Sequence, residues 1–193
     1  MPLAIVVLVL AAAWRVFILY VPGLSNFSPV MALAFCAGVY TRDRWLRLAP
    51  FLALVVSDLY IDQYYASVYH YQWSFGGAVL RVLCFAAALG IGAAISGRRN
   101  WVNLAGGVLA SSMLFYLVTN TAAWAGDMAY SHTVAGWWQA LTVGHPQYEP
   151  TIFFFRNSLV SDLAFTACFA LAMEYASLRR GAPSLLGLKQ VRR

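Results

Sequence analysis

The apolar positions of this chain fall into long unbroken runs, with little of the alternating patterning of a water-soluble fold. Six runs stand out: residues 3–21, 28–40, 48–61, 74–96, 101–119 and 153–178. Crossing a hydrocarbon core about 30 Å thick takes about 20 apolar residues of helix, so these runs predict six transmembrane helices. The second and third are short for that task, and either extend into their flanks or are shielded by neighbours. A weaker run, 134–143, is too short to span and reads as interfacial or re-entrant. The expected fold class is all-α. It is a polytopic membrane protein with one six-helix domain over residues 1–178 and a basic tail over 179–193.

Composition supports that picture. Of 193 residues, 62% are hydrophobic and 10% charged, where a soluble domain carries about 25% charged residues. Mean hydropathy is +0.68. The net charge of +6 is read as a topology signal and not as nucleic-acid binding. The basic clusters are RDRWLR at 42–47, the pair at 98–99 and the tail from Arg179. By the positive-inside rule all three face the cytoplasm, which puts both termini there and closes the count at six spans. The opening MPLAIVVLVLAAAW has no basic leader region and reads as a retained helix, not a signal peptide.

The opposite loops, 22–27, 62–73 and 120–152, differ sharply from the basic ones. They hold His70, His132 and His145, most of the tryptophans and many tyrosines. An interfacial aromatic belt is one reading. Belts normally form on both faces, so the one-sided crowding favours an aromatic-lined pocket for a sizeable ligand. On that ground His70, Tyr71 and Trp73 of the stretch DQYYASVYHYQW are candidate ligand contacts.

Charges inside the runs cost about 2.5–3.5 kcal/mol each at mid-bilayer, so they are expected to pair, snorkel or line a cavity. Asp58 and Arg81 fall at matching depths on consecutive helices and predict an ion pair; Arg15 and Asp162 predict a second. Such pairs either hold the bundle together or line a cavity, and Asp58, Arg81 and Asp162 enter the candidate site on the second reading. Glu174, near the inner end, reads as solvated or snorkelling. Arg156, in FFFRNSLVSD, offers a fork for a ligand amide, carboxylate or phosphate. Cys84 shares a helix face with Arg81 and Ala88. It is either a small apolar filler or a thiol facing a cavity, where Arg81 favours the thiolate and a transition metal suits it. Cys36 and Cys168 have no polar neighbour at helical spacing. Ala86, Gly90 and Ala94 follow the small-xxx-small spacing of close helix contacts. VVSDLYI (55–61) and LVSDLAF (159–165) share an S-D-L core that reads as chance recurrence. There is no GxSxG, HExxH, CxxC or phosphate-cradling loop. A membrane enzyme with Cys84 as nucleophile would lack a helical histidine as its base.

Several stretches carry a resemblance. NFSPVMALAFCAGVYTRDRW (26–45), VVSDL (55–59), LFYLVTNTAAW (114–124), YSHTVAGWWQA (130–140) and FFFRNSLVSDLAFTA (153–167) resemble a family of small bacterial transport proteins. That family is similar to the substrate-binding S components of energy-coupling-factor vitamin transporters, and the likeness runs from about residue 10 to 178. It implies six helices in the bacterial inner membrane and a vitamin-like substrate captured at the outer face. Delivery would go through a transmembrane coupling subunit and two ATPases, with no resident cofactor. The cobalamin-specific S components carry a cysteine in the helix after the second outer loop, as axial ligand to cobalt, and Cys84 holds that place. An arginine at the start of the last helix, as at Arg156, also fits that subgroup. Arg156 and Asn26 would suit the amides of a corrinoid, and a thiolate competing for cobalt would assist removal of cyanide. Another small vitamin, with Cys84 as filler, is the alternative within the same scaffold.

Overall fold

The computed structural model describes residues 2–21, 23–70, 72–179 and 181. Tyr71 and the tail beyond Gly181 lie outside the described residues. Among those described there are seven α-helices and no strand: α1 Pro2–Phe17, α2 Val30–Tyr40, α3 Arg44–Tyr69, α4 Phe75–Ile95, α5 Trp101–Gly126, α6 Val134–Leu141 and α7 Thr151–Arg179. A short 3-10 turn, Ile18–Tyr20, follows α1.

The helices begin where the sequence supplies caps. Asp43 Oδ1 accepts from the backbone N–H groups of Trp45 and Leu46 ahead of α3. Ser74, Asn100 and Thr133 do the same for α4, α5 and α6. Each cap satisfies donors that the first helical turn leaves unpaired.

Three helices, α4, α5 and α7, are long and apolar enough to cross a membrane. The surface agrees with that: Leu52, Leu59, Leu83 and Val102 are 58–79% exposed on helix faces. Water-soluble proteins rarely expose contiguous apolar surface on this scale. The inside is correspondingly polar on α7, where Asn157, Ser161, Asp162, Thr166 and Glu174 are all buried. A helix with its polar side inward and its apolar side outward is built for a lipid surround.

α2 is the central strut. It has 11 residues, about 17 Å at 1.5 Å each, and eight of them are buried. Shielding by neighbours, not extension, is what accommodates its short length. Val30, Met31 and Ala34 pack with Phe85 and Ala88 of α4 and Leu54 of α3. Phe35, Cys36 and Val39 pack with Leu104, Val108 and Ala170. α2 and α4 therefore run side by side in one direction, and Gly38 and Gly92 sit where their backbones meet. α3 instead extends at both ends, from 48–61 to 44–69.

Three expectations change here. The stripe Ala86, Gly90 and Ala94 faces outward, with open space over Gly90. Close approach is made instead by Ala88 and Gly92 of the row 84-88-92, which lies two residues away and so nearly on the opposite side of the helix. The stretches 62–73 and 120–152 are largely helical at their starts, because α3 runs on to Tyr69 and α5 to Gly126. Glu174 is 2% exposed, so it is buried and not solvated.

Candidate functional site

A hollow of about 240 Å³ opens at the end of the bundle away from Arg42–Arg47 and Arg98–Arg99. Its walls come from the later turns of α1, α3 and α5, the first turns of α4 and α7, and the loop before α2. Below it Phe35, Leu104, Val108 and Ala170 are 0–2% exposed. Among the described residues this packed layer closes the hollow beneath.

One wall is ionic. Arg15 Nη1 meets Asp58 Oδ1 at 2.8 Å, and Arg81 Nε meets Asp58 Oδ2 at 2.9 Å. Arg81 Nη2 reaches Asp62 Oδ2 at 3.0 Å. Arg15 also donates to Ser57 Oγ at 2.6 Å. Asp58 thus bridges α1 and α4 with one oxygen each, while both arginines line the hollow. The Asp58–Arg81 pair forms as depth matching predicts. The Arg15–Asp162 pair does not, because Asp58 stands directly across the α1–α3 contact and takes the Arg15 guanidinium. Asp62 lies just beyond the apolar run that ends at Ile61, so run length alone does not mark it. It is four residues after Asp58, on the same helical face, and that spacing was the available signal.

Asp162 lies on another wall. It is 3% exposed and accepts from Ser112 Oγ at 2.7 Å. No cation stands within 4 Å of it among the described residues. The two S-D-L segments are used similarly: each buries its serine, while Asp162 lines the hollow from α7 and Asp58 stands behind the hollow's two arginines from α3.

The remaining walls are aromatic. Tyr64, Tyr65 and Tyr69 of α3 line the hollow, as do Phe85, Phe115 and Tyr116. Tyr116 stacks on Phe155 with centroids 4.3 Å apart, and its hydroxyl donates to the carbonyl of Leu141, which anchors α6. At the mouth Tyr148 packs on Tyr69 at 5.1 Å and His145 on Tyr148 at 5.6 Å. Gln147 Nε2 donates to the Tyr69 carbonyl at 2.9 Å, tying the loop before α7 to the end of α3. Burial, with Asp127 and Tyr148 adding to it, raises the Tyr130 phenol above its usual value. It stays a neutral hydrogen-bonding group at physiological pH.

The predicted contacts divide. Asn26, Arg81 and Asp162 line the hollow, and Asp58 stands directly behind its two arginines. His70 ends α3 in the left-handed conformation (φ 55°) and is exposed, outside the lining. Trp73 is 57% exposed against Phe75, also outside it. Arg156 is exposed on α7, over the Phe153 ring and donating to Asn157 Oδ1. Cys84 is buried, 5% exposed; its neighbours Arg81 and Phe85 line the hollow and it does not. Its place is on the row that α4 packs toward α2, and the arginine expected to bias it is engaged by Asp58 and Asp62. Tyr71 lies outside the described residues.

The residue that sequence reasoning passed over beside Arg156 is Asn157. It is buried, and its Nδ2 donates to the carbonyls of Gly23 at 2.8 Å and Ser25 at 3.0 Å. This clamp holds the loop in which Asn26 takes a left-handed φ of 66°. Asn157→Ala should cost about 1–3 kcal/mol by orphaning those carbonyls. Thermal unfolding measures the cost, and hydrogen exchange should rise in residues 23–28 before it rises in α7.

Fold and site together define a helical protein of membrane type with a polar-aromatic hollow at one end. The chain belongs to the family of unknown function (DUF6580), whose model matches residues 1–185. No curated protein and no solved structure matches it.

Proposed function

We propose that this chain is the membrane-embedded substrate-binding subunit of a vitamin-class uptake system. On this reading it crosses the bacterial cytoplasmic membrane six times, with the arginine-rich end inside. The supporting observation is the hollow, open at the loop end and sealed beneath. Such a shape captures a solute without passing it. Release on the other side then needs a transmembrane coupling subunit and ATPases, since this chain has no phosphate-binding loop of its own.

Cobalamin is the ligand to which the resemblance points, with Cys84 as the axial cobalt ligand. It asks two movements of the protein. The Cys84 sulfur must turn from its buried position into the hollow, and the hollow must widen well beyond 240 Å³. Ligand sites for small organic molecules run about 300–1,000 Å³, so the hollow as it stands favours a second reading, a smaller vitamin with Cys84 as packing. A thiol enzyme fits least well, because no histidine stands beside Cys84 to activate it.

Visible absorbance separates the first two readings. If cobalamin is the substrate, detergent-purified wild type takes it up with an altered spectrum, and Cys84→Ser binds without the alteration. An unaltered wild-type spectrum, with thermal stabilisation by a smaller vitamin, assigns the second reading. Failure of every vitamin in a panel to stabilise the protein would remove the substrate-binding proposal itself.

A further inference from the structure

The end of the bundle opposite the candidate site has its own hollow, of about 170 Å³. Arg42, Arg47 and Arg99 line it, together with Tyr40, Thr41 and Ser96. Two of the guanidiniums are held in place. Arg47 Nε donates to the Thr41 carbonyl at 2.8 Å, and Arg99 lies 5.1 Å over the Tyr40 ring. Arg99 Nε is buried and has no hydrogen-bond partner.

Three cations at one concavity would ordinarily be answered by acids. The chain has seven Asp and Glu residues. Asp58 and Asp62 pair with Arg15 and Arg81, Asp162 lines the other hollow, and Asp127 and Glu149 are in the loops at that end. Asp43 is spent on the cap of α3. Glu174 is buried beside Tyr40. Among the described residues no acid pairs with Arg42, Arg47 or Arg99 within 4 Å, and the stretches outside them contain no Asp or Glu. Trp45 and Trp101, 65% and 41% exposed, begin the helices on either side. Exposed tryptophans of this kind settle at the headgroup level of a bilayer.

We propose that this hollow is a phosphate site, filled by the headgroup of an anionic phospholipid. Guanidiniums bind phosphate oxygens in paired hydrogen bonds, and basic pockets between membrane helices select charged headgroups. The proposal does not depend on what the opposite hollow binds.

The test is thermal unfolding of the full chain in neutral detergent, titrated in separate arms with phosphatidylglycerol, phosphatidylcholine and inorganic phosphate. Wild type is expected to be stabilised by phosphatidylglycerol at far lower concentration than by either of the others. Arg99→Gln and Arg47→Gln should each weaken that effect about tenfold, the worth of one hydrogen bond to a charged group. Arg98→Gln removes the same charge outside the hollow and should leave the effect intact. If Arg99→Gln fails to fold, the exposed Arg42→Gln carries the same expectation. Equal stabilisation by phosphatidylcholine would overturn the proposal, as would equal losses in the Arg98 and Arg99 variants. Inorganic phosphate acting as well as the lipid would overturn the lipid as source.

Discussion

Gly38→Ala is expected to destabilise the protein by about 3 kcal/mol, at the top of the range for overpacking, and Gly38→Val by more. A Cβ at position 38 would collide with the carbonyl oxygen of Leu89 and come within 2.8 Å of the Ala93 nitrogen. Both obstacles are backbone, so no side chain can swing aside. The contact is reciprocal: a Cβ at Gly92 would meet the Phe35 carbonyl oxygen and stand 3.2 Å from the Val39 nitrogen. α2 cannot back away, because both buried clusters are built on it. The control is Gly90→Ala, where a Cβ meets open space. Alanine exceeds glycine in helix propensity by about 0.8–1 kcal/mol, so that variant should be neutral or slightly stabilised. Unfolding midpoints in detergent compare the three. Equal midpoints for Gly38→Ala and Gly90→Ala would mean that α2 and α4 do not meet backbone to backbone.

The same contact explains what the sequence could and could not reveal. Small residues repeat every four positions on two rows of α4, 84-88-92 and 86-90-94. Spacing alone cannot say which row faces a partner, since both satisfy it. The tie is broken by α2, whose burial depends on α1, α3, α4, α5 and α7 together. The helical segments were legible because lipid demands apolar runs, and α5 and α7 nearly keep their predicted starts. Helix ends were not, because α3 continues through Asp62, Tyr64, Tyr65 and Tyr69, whose polar and aromatic character looks like loop. The three tyrosines wall the hollow, so its location at the loop end was readable while part of its lining was misassigned to connections. Asp162 was readable as a charge that must pair or line a cavity, by its cost in lipid; its partner was not, since Ser112 is one small polar residue among many on α5.

Asp58 is the position where a single charge should matter most. Arg15, Asp58, Arg81 and Asp62 form a chain of two cations and two anions, with side chains between 15% and 21% exposed. Asp58 is its central acid, since each of its oxygens holds a different arginine. Asp58→Asn keeps the shape and removes the charge. It leaves Arg15 with Ser57 and a carbonyl, and turns an amide N–H toward one guanidinium. Breaking a buried pair from one side costs about 3–5 kcal/mol, and a comparable loss is expected here. The double variant Arg15→Met, Asp58→Asn removes one charge of each sign and leaves Arg81 with Asp62. If the penalty comes from an unanswered cation, the double variant is more stable than Asp58→Asn alone, although it has lost one more ion-pair partner. If the Asp58 contacts contribute only as separate hydrogen bonds, the double variant is the less stable of the two. The order of the two unfolding midpoints therefore decides whether charge balance, or the count of bonds, holds α1 and α4 against α3.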